Sequence, residues 1–182
     1  LDALDVEETV WPAEVDAARE RFYSGNFADV YQVDCPNKQS WAVKCFTREV
    51  ADLRQRYQAI SEHLDAQKRR FTVEFQYLTE GIRVRDEWYP ILKMRWVEGF
   101  TLNEFLREHA GNAPLLEQMC GLWLRLGNEL HESKMAHGDL QHGNVMLVPG
   151  SKASAMVLRL IDYDGMWVPD LEGKPPGEVG HP

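Results

Sequence analysis

Apolar and polar residues roughly alternate from Asn26 to Val33 and again from Ser40 to Phe46, the period of a strand with one buried face. Asp34-Cys35-Pro36-Asn37-Lys38 between them is a turn cluster, so the two runs read as a hairpin. In the second run Trp41, Val43 and Cys45 fall on one face, and Ala42, Lys44 and Phe46 on the other. The period then lengthens: Leu53, Tyr57, Ile60 and Leu64 recur at helical spacing within residues 50–67. Residues 71–84 and 88–97 return to strand character around an Arg85-Asp86-Glu87 turn.

Beyond about Gly99 the pattern predicts helix, loop and short strands. Thr101-Leu102-Asn103-Glu104 has the form of a capping box, with Leu102, Phe105 and Leu106 behind it. A longer helix follows Pro114, which suits a first helical position, and Met119, Leu122, Leu126 and Leu130 form its apolar stripe. Val145–Val148 and Met156–Ile161 are short apolar strands. The first 22 residues are acidic, then mildly helical, with a break at Trp11-Pro12, and the end from Lys174 is loop-like. The expected class is α+β, divided into an extension (1–22), a strand-rich part with one helix (23–97) and a more helical part (98–182).

Composition narrows the function classes. The 182 residues carry 29 acidic and 20 basic side chains, a net charge of −9, which argues against a nucleic-acid partner. Lys68-Arg69-Arg70 reads as a solvated face or turn. No apolar run approaches the roughly 18 residues that span a membrane, and Leu1–Glu8 lacks the order of a signal peptide. Cys35, Cys45 and Cys120 have no metal-ligand spacing and read as reduced thiols, so a cytoplasmic setting is expected. Oligomeric state is not legible.

The candidate chemistry lies late in the chain. His137-Gly138-Asp139-Leu140-Gln141-His142-Gly143-Asn144 precedes one short strand, and Asp162-Tyr163-Asp164-Gly165 follows the next. An acid before one strand and an acid after its neighbour bring two carboxylates and an amide near each other. Hard oxygen ligands of that kind suit Mg²⁺, and a further carboxylate can accept a proton from an attacking hydroxyl.

These residues resemble the protein-kinase-like superfamily. His137, Asp139, Leu140 and Asn144 match the fixed positions of H-R-D-L-x-x-x-N, and Asp162-Tyr163-Asp164 stands where D-F-G would. An alternative register uses Asp164-Gly165, although Leu160-Ile161 before Asp162 fits the first better. The resemblance implies Asp139 as catalytic base, and Asn144 and Asp162 as Mg²⁺ ligands. Ala42-Val43-Lys44 resembles the strand whose lysine contacts the phosphates of ATP, and Glu62, 18 residues on, is its implied partner. Glu49 is too close in sequence for that role, and Glu74 is expected beyond the helix. Tyr23–Tyr31 resembles the glycine-rich loop, with only Gly25 kept. Lys93–Gly99 resembles the hinge: Met94 as gatekeeper, Trp96 and Val97 offering backbone groups to adenine, and Val30, Ala42 and Met146 as apolar contacts to the base.

The fold so implied is a strand-rich N-lobe with one helix plus the beginning of a helical C-lobe. The implied function is transfer of the ATP γ-phosphate to a hydroxyl, on a protein serine or threonine or on a small molecule. The likeness covers about residues 20–170 and stops within what would be the activation segment, implying a longer parent enzyme. The 182-residue chain alone is then expected to bind Mg-ATP better than it transfers phosphate.

Two departures shape the reading. Gly138 replaces the arginine that docks a phosphorylated loop, and Gln141 replaces the usual lysine. The H-G-D form is closer to small-molecule kinases resembling aminoglycoside and choline kinases. Taken singly, each residue has a plainer explanation: a surface lysine, a turn aspartate, a core histidine. Their joint order carries the resemblance. A catalytically silent nucleotide-binding module is the rival. A metallophosphoesterase is disfavoured because Asn144 is followed by Val145 rather than His.

Overall fold

The computed structural model describes residues 22–24, 28–36, 39–47, 52–150 and 156–175. Gly25, which the resemblance puts in the glycine-rich loop, lies outside the described residues, as do residues 1–21. The described part is a mixed α+β structure with two antiparallel sheets and three α-helices. It divides into two compact units: Leu1–Gln58 with Glu74–Trp96, and Ala59–Val73 with Val97–Pro182.

The first unit holds a five-stranded sheet of β1 (Phe22–Ser24), β2 (Ala28–Asp34), β3 (Ser40–Phe46), β4 (Phe75–Val84) and β5 (Glu87–Arg95). Their spatial order is β1-β2-β3-β5-β4. The β2–β3 hairpin closes through Cys35 N–H donating to Gln39 O at 2.8 Å, with Ser40 Oγ donating to Asp34 Oδ1 at 2.5 Å. The β4–β5 hairpin turns on Arg85 and Asp86 alone, whose φ of 49° and 69° give the primed turn that matches strand twist. Glu87, expected in the turn, already belongs to β5. A register shift between Leu78 and Ile82 surrounds Gly81, where a Cβ would come within 2.2 Å of Ile91 Cγ1.

Register decides which side chains share a face. Trp41, Val43 and Ile91 form a buried cluster, with Val33, Cys45, Leu78 and Ile82 packed on it. Lys93 Nζ and Arg95 Cζ lie 4.3 and 5.0 Å from the Trp41 ring centroid on that side, within cation–π range. The opposite face carries Val30 opposite Lys44, Lys44 opposite Leu92, and Ala42 opposite Met94. Helix α1 (Leu53–Gln67) covers part of this face: the Tyr57 ring stacks on Tyr77 at 5.3 Å and meets Phe75 at 5.9 Å. Tyr57, Ile60 and Leu64 are buried, as their spacing required.

The second unit holds β6 (Phe100–Thr101), β7 (Val145–Pro149) and β8 (Met156–Leu160), in that order, with helices α2 (Leu102–His109) and α3 (Ala113–Glu132). Thr101 caps α2, its N–H donating to Glu104 Oε2 at 2.8 Å. That bond, with the Thr101 hydroxyl's, holds the Glu104 carboxyl below its usual range. Asn112 caps α3 through Oδ1, which accepts from Leu115 N–H. Of the α3 stripe, Leu126 and Leu130 are buried, and Met119 and Leu122 half-buried. Residues 71–73 were expected to begin a strand, but β4 starts at Phe75. Phe71 O instead accepts from Leu160 N–H at 2.8 Å, and the Arg159 guanidinium donates to the carbonyls of Arg70 and Thr72.

Among the described residues no helix is long and apolar enough to cross a membrane. The three cysteines are free thiols, and burial, with the Asp29 charge adding, pushes Cys45 up to about 11.

Candidate functional site

Each unit presents its own set of the residues nominated from sequence. In the first, strand alternation and register place Val30, Ala42, Lys44 and Met94 on one sheet face, with Met94 buried and the other three half-buried. Trp96 follows β5 and extends its pairing, its N–H donating to Ser40 O at 3.0 Å. The two units divide between Trp96 and Val97. Glu62 lies on α1 beyond Gln58, hence in the second unit, and its side chain is exposed.

In the second unit, the loop before β7 and the loop after β8 are held together by main chain. Ile161 N–H donates to Asn144 O, and Ala136 and Trp167 exchange both backbone bonds at 3.0 and 2.7 Å. Gly138 has φ +78°, and a Cβ there would stand 2.1 Å from Gly165 O. Both conditions demand glycine. The H-G-D form is therefore fixed by the approach of two backbones; an arginine at 138 has no room for its first side-chain carbon.

His137 is buried and bonds Ile161 O through Nε2 at 3.0 Å. A carbonyl only accepts, so Nε2 carries the proton. Nδ1 is buried without a hydrogen bond of good geometry, although the Asp139 backbone lies near enough to favour a proton on the ring. Burial dominates and holds the His137 pKa below its ordinary value, against the opposing influence of Ile161 O, Asp162 and Asp139. A neutral imidazole thus ties one loop to the strand end from which Asp162 follows.

Asp139 and Asn144 form the centre of the site. Asn144 Nδ2 donates to Asp139 Oδ2 at 2.8 Å and to the Asp139 carbonyl at 3.1 Å. Both partners are acceptors, which fixes the amide's orientation. Asn144 is buried, and among the described residues its Oδ1 takes no donor. Gln141 Nε2 also donates to Asp139 Oδ2, at 3.0 Å. Sequence spacing nominated Asp139 and Asn144 but gave no sign that they bond each other, nor that Gln141 joins them.

Asp162 is half-buried and has φ +62°, an uncommon backbone state for a residue with a side chain. Tyr163 next to it is fully buried. Its hydroxyl accepts from Val73 N–H at 2.7 Å and donates to Leu160 O at 3.0 Å, and burial pushes its pKa upward. Asp164 is also buried. Met146 is a buried residue of β7, opposite Thr101 and Arg159.

A cation site can be judged by its donors. Among the described residues no three His, Cys, Asp or Glu side chains gather in a metal-binding group. Asn144 Oδ1 and the Asp162 carboxylate are hard oxygens on facing main-chain segments. They fit Mg²⁺, which takes few protein ligands and fills its other positions with phosphate oxygens and water. Neither protein-family models nor curated proteins yield a match to this chain.

Proposed function

We propose that this protein is an ATP-dependent phosphotransferase of protein-kinase-like fold, which moves the γ-phosphate of ATP to a hydroxyl, with a protein serine or threonine as acceptor. The observation that carries the reading is the Asn144 amide. Its nitrogen is committed to Asp139, which leaves its oxygen as a candidate cation ligand. One side chain would thereby orient the base and hold the metal.

The acceptor oxygen attacks the γ-phosphorus, its proton passes to the Asp139 carboxylate, and the bond to the β-phosphate oxygen breaks, releasing ADP. Asn144 and Asp162 would hold Mg²⁺, which when bound neutralises charge on the phosphates. Lys44 would meet the α- and β-phosphates, with Glu62 as its partner. Val30, Ala42, Met94 and Met146 would contact adenine, and Trp96 and Val97 would offer it backbone groups. Gly25 would be part of a loop that covers the phosphates.

A second reading has one observation of its own: of the glycine-rich loop only Gly25 is kept. A nucleotide-binding module that does not transfer phosphate is that alternative. Transfer from radiolabelled γ-phosphate to protein and small hydroxyl acceptors separates the two. Asp139→Asn should lower transfer about 10²–10⁴-fold while Mg-ATP binding stays within a few-fold. Asp162→Asn should weaken the Mg²⁺-dependent part of binding. Equal loss of binding in both variants would overturn these roles. Binding without any transfer by the longer parent enzyme that the resemblance implies would establish the second reading.

A further inference from the structure

The Asp139 carboxylate is held by two neighbours that are themselves bonded to each other. Gln141 O accepts from Asn144 N–H at 3.0 Å, while the side-chain amides of both residues converge on Asp139 Oδ2, from 3.0 and 2.8 Å. A carboxylate with one donor on one oxygen can still swing about that contact. A second donor on the same oxygen removes the swing.

We propose that Gln141 is a positioning residue for phosphoryl transfer: with Asn144 it holds Asp139 Oδ2 and fixes the plane of the carboxylate that takes the hydroxyl proton. The inference rests on the phosphotransferase reading and extends it to a residue to which that reading gives no contact with nucleotide or metal. Two donors match the two lone pairs that one carboxylate oxygen offers, so the pair holds the group more firmly than either alone. Transfer requires the acceptor oxygen in line with the γ-phosphorus. A base whose plane is fixed serves one line of approach.

Gln141→Leu keeps the size of the side chain and removes the donor. Gln141→Glu keeps its shape and places an acceptor against Asp139. Gln141→Lys restores an N–H donor. The Leu variant should lose about tenfold in kcat, the scale of one hydrogen bond to a charged group. KM for ATP and the Mg-ATP thermal shift should stay within twofold of the unaltered protein. The Glu variant should lose at least as much, and the Lys variant should recover most of the rate. Should the Leu variant fail to fold, the Glu variant carries the same comparison. Unchanged kcat in both donor-free variants, or a loss expressed in KM, overturns the role of Gln141 and leaves the phosphotransferase reading standing. No transfer by the longer parent enzyme that the resemblance implies, with Mg-ATP bound, overturns both.

Discussion

The Tyr163 hydroxyl lies 2.7 Å from the backbone nitrogen of Val73, across 90 residues of sequence. That bond joins the segment after α1 to the loop that carries Asp162. It is buried, so its loss strands a main-chain donor away from water. Tyr163→Phe keeps the packing and removes only the oxygen, and should cost about 1–3 kcal/mol. At roughly 2–4 °C per kcal/mol for a chain of this size, the melting temperature should fall by several degrees. An unchanged melt would mean that Val73 finds another acceptor.

Gly138→Ala tests the backbone contact directly. A Cβ at position 138 meets Gly165 O at 2.1 Å, and φ +78° is itself unfavourable for a residue with a side chain. The two effects together should cost about 2–5 kcal/mol, read by urea unfolding. A variant that folds with full stability would show that the two loops separate easily.

Burial of neutral His137 makes stability depend on pH in a defined direction. Its folded pKa is depressed, so the unfolded chain takes up the proton first as pH falls. The contribution is complete above the unfolded value of about 6.5 and declines as pH drops from there toward the folded pKa. His137→Gln should show a smaller loss of urea midpoint between pH 7 and pH 5 than the unaltered protein. The other histidines are common to both chains and cancel in the comparison. An equal loss would assign the acid sensitivity elsewhere.

Mg-ATP should stabilise the folded chain. A ligand at a hundred times its dissociation constant adds about 2.7 kcal/mol, equivalent to a rise on the order of 5–10 °C in the melt. Chelation of Mg²⁺ should shrink the rise, and Asp162→Asn should shrink its Mg²⁺-dependent part. No shift at millimolar ATP, in a sample shown to be folded, would count against nucleotide binding altogether.

The long elements were legible in the sequence because each has one buried face and keeps its period for seven residues or more. The alternation of β3 by itself puts Lys44 on the same face as Ala42, and strand register adds Val30 and Met94. The two shortest strands were not legible: β1 and β6 have three and two residues, too few to show a period. Phe71 and Val73 do alternate like a strand and are buried. Their partners, however, are Leu160 and Tyr163 in the second unit rather than a neighbouring strand of the first sheet. Spacing nominated the site residues one by one. It could not show that Asn144 Nδ2 is spent on Asp139, because that bond depends on how the loop folds back over five residues.

The near-contact of Gly138 with Gly165 also limits how this sequence can drift. A side chain cannot enter at 138 while the carbonyl of residue 165 stays where it is, and a Cβ at 165 would lie 3.3 Å from His137 O. The two positions are not equally closed: a Cβ at 165 asks its neighbour to give by a few tenths of an ångström, whereas one at 138 cannot enter unless backbone moves. An arginine at position 138 would become reachable only after the Asp162–Gly165 segment had moved, so such a form of the loop is more than one substitution away.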